Sequence, residues 1–189
     1  MALELEHTWE HALVAATIKA AMEKCPECSL GRIAVQKLVY FLKVMDVPMN
    51  YKFDVHHYGP YCQDIASDIE WLIADNIVTD ERHTLPGNSS SYTTASEYET
   101  LSLQFSEKLK GYQPVINSIC KALSDLSPKT LELVATLDFS FRWVKASGGD
   151  GPWKTEAVAK FKKIKKDKFN DDEIDRWYGA LVKAKLIEQ

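Results

Sequence analysis

The chain is predicted to fold as a mainly α (α+β) protein: a compact helical domain with a small winged-helix-like β-hairpin in its first half and a second helical lobe. Apolar residues recur at helical spacing over most of the length, and polar capping residues stand in front of several of those runs. Strand-like composition is confined to short stretches before residue 95. At 189 residues and 46% hydrophobic content the chain can bury a core as one domain, 1–189, with sub-lobes at 1–110 and 111–189.

Trp9, Leu13, Ala16 and Ala20 share one helical face, with Thr8 placed to cap and Pro26 beyond the end, so the first helix runs to Lys24. Ser29 then precedes Ile33, Val35, Leu38, Val39, Phe41, Leu42 and Met45, apolar around most of the circumference. That pattern marks a central helix, the hub of the core, stopped by Pro48. Tyr51 to His57 alternates weakly and reads as a short strand or an extended loop.

Gly59-Pro60 signals a turn, and Pro60 suits the first turn of a following helix, where its missing N–H would be unpaired anyway. Ile65, Ile69, Leu72 and Ile73 give that helix one apolar face, closing at Asp75-Asn76. Ile77 to Arg82 and Ser90 to Thr94 flank Leu85-Pro86-Gly87-Asn88-Ser89, the composition of a hairpin loop between short strands. Helix, turn, helix, hairpin is the order of a winged helix.

The second half reads as helical: Glu97 to Lys110, a helix opened by Pro114, and Lys129 to Ala146 with Ser127-Pro128 as N-cap and first position. A Gly-rich break from Gly148 to Pro152 precedes a helix carrying Val158, Phe161 and Ile164. Asn170 with Glu173 then forms a capping box for a last helix burying Ile174, Trp177, Leu181 and Val182. Leu72 to Val78 and Leu181 to Ile187 echo each other, as two helices would if each hands its last apolar pair to the core.

A formal charge of -4 and a pI near 5.8 lack the global basic excess that draws a chain onto nucleic acid or anionic lipid. No apolar run approaches the roughly 20 residues of a membrane span, and the N-terminus lacks a signal-peptide pattern. A cytoplasmic protein with no membrane partner is expected. Four cysteines, Cys25, Cys28, Cys62 and Cys120, are too few for a disulfide scaffold, so reduced thiols are the default. Cys25 and Cys28 have the spacing of half a zinc knuckle or a redox dithiol, but no second such pair exists. They are weak metal candidates at the loop that ends the first helix.

Enzymes leave spaced acids, bases and nucleophiles that converge. There is no GxSxG, HExxH or EF-hand loop, and Gly148 to Thr155 has Trp153 where a phosphate loop needs glycine. No catalytic residue and no cofactor are assigned, and the chain is read as a non-enzyme. His56-His57 beside Tyr58 and Tyr61 could in principle act as a base with phenolic partners, because imidazole titrates near neutrality. As exposed residues, the four would instead be rigid amphipathic anchors for a partner protein. The competing element is a lysine-rich cluster, Lys154, Lys160, Lys162, Lys163, Lys165, Lys166 and Lys168, on or beside a helix whose opposite stripe is Val158, Phe161 and Ile164. With Lys160, Lys162, Lys163 and Lys166 foremost, it could track phosphates as a winged-helix nucleic-acid binder would. The acidic run Asp171, Asp172, Glu173, Asp175 would partly neutralise it.

Val35-Gln36-Lys37-Leu38-Val39-Tyr40-Phe41-Leu42, then Tyr51, Phe53 and Tyr58-Gly59-Pro60-Tyr61, resemble the Panacea or SocA-like antitoxin domain, and more closely its YwgA-like bacterial or phage relatives. Leu131-Glu132-Leu133-Val134-Ala135-Thr136-Leu137 looks like that family's Leu-Glu-Leu-aliphatic-Ala-Thr helix. The resemblance covers about 30–137. It implies a mainly helical fold and a non-catalytic role in which an antitoxin-like or phage- and defence-associated protein directly binds a partner such as a toxin. By matching position, Lys37, Tyr40, Tyr58, Gly59 and Pro60 are the family motif.

Overall fold

The structure, a computed structural model, describes residues 6–82, 90–148 and 151–188. In chain order these form α1 (Trp9–Lys24), α2 (Arg32–Val44), β1 (Asp54–His56), β2 (Gly59–Tyr61), α3 (Gln63–Ala74), β3 (Val78–Asp80) and β4 (Tyr92–Thr94). Next come α4 (Tyr98–Gln104), α5 (Ser106–Leu123), α6 (Pro128–Ala146), α7 (Trp153–Lys165), a 3-10 turn (Lys166–Lys168) and α8 (Asp171–Lys183). The mainly α class is as predicted, with β1–β2 and β3–β4 as two separate antiparallel ribbons among the described residues. The predicted hairpin loop, Leu85 to Ser89, and part of the Gly148 to Pro152 break lie outside the described residues.

The chain divides into two compact units. One holds residues 1–53 and 62–126; the other holds 54–61 and 127–189. The β1–β2 ribbon therefore belongs by packing to the second unit, although the first half of the chain encodes it.

In the first unit α1 packs against α2, α3, α4, α5 and β4. Ala12, Ala15, Ala16, Ala20 and Ala21 are all buried on it, and their small side chains let neighbouring backbones approach closely. Thr17, buried on the same helix, satisfies its hydroxyl on the Leu13 carbonyl at 2.7 Å. Helix α2 is buried around most of its circumference as predicted, but within this unit α1 has the larger set of partners and is the hub.

In the second unit α6 packs against α7, α8 and β2. Its buried face carries hydroxyls as well as aliphatics. Thr136 and Ser140 hydrogen-bond to the carbonyls of Glu132 and Thr136 at 2.6 and 2.7 Å, so neither hydroxyl is buried unpaired.

Local chemistry sets several helix ends. Thr8 with His11 and Asn170 with Glu173 close capping boxes, and Ser127 accepts from the Thr130 amide with Pro128 at the first helical position. Helices α2, α3 and α8 all end in the same way: Asp46, Asn76 and Lys185 take left-handed φ of 59°, 57° and 59°. The next amides, of Val47, Ile77 and Leu186, reach back to the carbonyls of Leu42, Leu72 and Leu181 at 2.9 to 3.0 Å. This is the Schellman motif, which commonly joins two apolar residues. It accounts for the echo between Leu72–Val78 and Leu181–Ile187 without any duplication.

Three local expectations are corrected. Pro60 lies in β2 opposite Val55 and not in a helical first turn, and α3 begins only at Gln63. A two-stranded ribbon leaves each strand an open edge, where a residue without an N–H costs no ladder bond. The expected 97–110 helix breaks at Phe105, and α5 then runs through Pro114 instead of starting there. Burial of Ile116, Ile119, Cys120 and Leu123 beyond the proline offsets the lost i→i−4 bond. Cys25 and Cys28 are not reduced thiols: their sulfurs are joined in a disulfide in the loop after α1.

Candidate functional site

The predicted partner-binding residues sit on the β1–β2 ribbon. Asp54 pairs with Tyr61, Val55 with Pro60 and His56 with Gly59, leaving His57 and Tyr58 as the two-residue turn. Neither turn residue takes a positive φ; the left-handed position is Gly59, at 87°, immediately after them. A side chain is disfavoured there, which explains a glycine at this position. His56, His57 and Tyr58 are exposed, Tyr58 at 49%, and Tyr61 is half-buried. The rings of His56 and Tyr61 lie 4.9 Å apart, and His57 and Tyr58 meet edge to face at 4.8 Å.

Beneath this tip lies an ion cluster of two buried residues, Lys165 and Glu132, and the exposed Lys168. Lys165, 5% exposed at the end of α7, donates to the His57 carbonyl and to Glu132 Oε1, both at 2.8 Å. Lys168 donates to both Glu132 oxygens at 2.8 Å, and its ammonium stands 5.2 Å from the centre of the Tyr58 ring. Burial would push the Glu132 carboxyl up, but hydrogen bonds from Lys165 and Lys168 outweigh that and hold it below the usual carboxylate range. Burial pushes the Lys165 ammonium below the usual lysine range, and Glu132 opposes that shift. Two lysines meet one carboxylate, so the cluster carries an excess positive charge next to the exposed Tyr58.

The family-motif residues divide between the units. Lys37 and Tyr40 are buried on α2 in the first, while buried Gly59 and Pro60 and exposed Tyr58 belong to the second. Gln36, also on α2, frames the end of the motif within the first unit. Its side-chain amide donates to the Cys62 carbonyl at 2.8 Å and accepts from the Cys62 amide at 2.9 Å.

The lysine-rich segment is not one uniform face. Lys160 lies over the Trp143 ring at 3.5 Å, Lys162 pairs with Asp171 at 2.6 Å, and Lys154 with Asp175 at 3.2 Å. Lys163 and Lys166 are exposed, and Lys165 turns into the core. The weak metal candidates Cys25 and Cys28 are bonded to each other, and the described residues contain no group of three or more metal-ligating side chains.

A second polar cluster, unforeseen from the sequence, lies in the first unit. Asp68 on α3 accepts from the Tyr51 hydroxyl at 2.5 Å and faces His11 Nε2 at 3.4 Å, while His11 Nδ1 accepts from the Thr8 amide at 3.1 Å. Both imidazole nitrogens are engaged. The arrangement ties α1, Tyr51 and α3 together. Burial works against the Asp68 carboxylate, but bonds from His11 and Tyr51 hold it below the usual range.

Glu132 and Lys165 had readable signals. Glu132 is a carboxylate within the run Leu131 to Leu137, which is buried throughout, and Lys165 falls four residues after Phe161 on the buried stripe of α7. A charge on a buried stripe implies a partner.

No family model matches the chain. Uncharacterized protein YwgA of Bacillus subtilis (strain 168) is 27% identical over 162 residues, covering 84% of this chain and 89% of that protein. The chain is YwgA-like. A match of that length includes residues of both units. Among the described residues no helix is long and apolar enough to cross a membrane.

Proposed function

We propose that this YwgA-like chain is a non-catalytic, cytoplasmic protein-binding module that engages a partner protein through His56, His57, Tyr58 and Tyr61. The observation that carries this reading is the pairing of an exposed aromatic tip with a buried anchor: Tyr58 at 49% exposure, directly after a residue whose carbonyl is held by Lys165. An anchored tip loses little conformational freedom on docking, so more of its contact energy appears as affinity. Tyrosine also supplies a large contact area with only two side-chain torsions.

The resemblance of the 35–61 motif to Panacea and SocA-like domains supports the finer reading, an antitoxin-like or phage- and defence-associated protein that binds a toxin or similar partner. The bonds by which His11, Tyr51 and Asp68 join α1 to α3 suit a structural role for that cluster, in keeping with a non-catalytic protein.

The test is affinity isolation of the tagged chain from its native host, alongside Tyr58→Ala and His57→Ala variants with matched thermal melts. Loss of the same partner from both folded variants is expected. Salt-sensitive DNA or RNA binding, abolished by changes at Lys160, Lys162, Lys163 and Lys166, would instead make the chain a nucleic-acid binder.

A further inference from the structure

We propose that Cys25 and Cys28 form a reversible thiol–disulfide site, open to low-molecular-weight thiols, whose oxidation state governs how tightly the following loop holds the β3–β4 ribbon. Both cysteines are half-buried, in a surface loop where Pro26 and Glu27 are exposed. The loop is short and local: the Cys25 amide bonds to Ala21 at the end of α1, and the Cys28 amide bonds to the Cys25 carbonyl, each at 3.0 Å.

A bridge stabilises chiefly by closing a long loop of the unfolded chain, and this one closes only two intervening residues. Its consequence is therefore local. Two residues after Cys28, the Leu30 carbonyl accepts the Tyr92 amide of β4 at 2.9 Å. A side chain at Gly31 would lie 3.1 Å from the Ser90 carbonyl, and Arg32 Nε donates to the Tyr92 hydroxyl at 3.1 Å. The segment that leaves the disulfide is thus the segment that fastens β4.

The chemistry is a two-electron exchange. A small-molecule thiolate attacks one sulfur, the S–S bond breaks, and the displaced Cys thiolate takes up a proton. A second small thiol then attacks the mixed disulfide, leaving two protein thiols and one oxidised small-molecule disulfide. The remaining cysteines do not intervene. Cys62 and Cys120 are buried, and burial pushes the Cys120 thiol up to about 12. The position also decides what kind of site this is. Oxidoreductase cysteines gain thiolate character at a helix N-terminus, whereas Cys25 caps the C-terminus of α1, beside Glu27, where the negative end of the dipole disfavours thiolate. The pair is suited to respond to redox conditions and poorly suited to catalyse exchange in other proteins.

The test uses the full chain in buffers of defined reduced-to-oxidised glutathione ratio, followed by acid quench, alkylation and mass spectrometry, with amide exchange measured in parallel. Cys25 and Cys28 should convert together in one two-electron step while Cys62 and Cys120 stay unmodified in the native protein. The Tyr92 amide should exchange roughly tenfold faster in the reduced form, and a Cys25→Ser/Cys28→Ser variant should show the fast rate in every buffer. A pair that stays oxidised in excess reduced glutathione, or never oxidises in excess glutathione disulfide, would overturn the site. Equal Tyr92 exchange in both states would overturn its link to β4.

Discussion

Lys165 donates a 2.8 Å hydrogen bond to the carbonyl of His57, a residue 108 positions earlier in the chain. The same ammonium bonds Glu132, so the turn that presents Tyr58 rests on a charge that is itself buried and paired. Each element of that support can be removed separately.

Replacing Lys165→Met keeps the side-chain length but strands the His57 carbonyl and leaves Glu132 with Lys168 alone. Breaking a buried pair from one side costs about 3 kcal/mol, somewhat less where Lys168 still neutralises the carboxylate. Urea melts should show that loss, and Lys165→Met/Glu132→Leu should recover part of it. An unchanged midpoint in the single variant would remove the anchor from the account.

Glu132 titrates below the usual carboxylate range in the folded protein because two lysines bond it. Its contribution is therefore complete at neutral pH and is lost as pH falls through the unfolded carboxylate value toward the lower folded one. Glu132→Gln should be less stable than the parent at pH 7, and its stability should fall less steeply between about pH 5 and 3. Asp68, held low by His11 and Tyr51, should behave the same way in Asp68→Asn. Parallel slopes in parent and variants would contradict both assignments.

Gly59 holds a φ of 87° just beyond the turn. Gly59→Ala should destabilise by about 1 kcal/mol or more, since a Cβ is disfavoured in that region. The effect should appear in chemical denaturation as a lower midpoint with an unchanged slope. A neutral substitution would mean that the ribbon does not need this geometry.

Gln36→Leu should leave the buried amide and carbonyl of Cys62 without their side-chain partner. An unsatisfied buried backbone group costs roughly 1 to 3 kcal/mol, so a loss in that range is expected in thermal or urea melts. Stability equal to the parent would show that other groups take over the bonds.

Much of the helical architecture was legible because helix ends are local chemistry. Thr8, Ser127 and Asn170 cap as their sequence context predicts, and the recurring Leu-aliphatic pattern at two helix ends is the signature of one C-terminal motif. Pro114 reads as a helix start in the sequence because proline opens helices more readily than it interrupts them. What tips the balance is the core burial after it, which the local sequence does not contain. Pro60 is ambiguous for a related reason: a turn followed by proline fits a helix start and a ribbon edge equally well. At the candidate site, the polar aromatic tip was visible as composition, but its anchor was not. The contact between Lys165 and His57 is tertiary, and only the placement of Lys165 and Glu132 among buried positions of their helices hinted that both must be paired.

The most direct measurement of the central claim is quantitative co-purification of a partner protein with Tyr58→Ala, scored only after matched melts show the variant folded. A tyrosine at the centre of an interface costs at least about 2 kcal/mol on truncation, so partner recovery should fall by more than roughly tenfold. Full partner recovery with Tyr58→Ala would contradict the account and place the interface away from the His56 to Tyr61 tip.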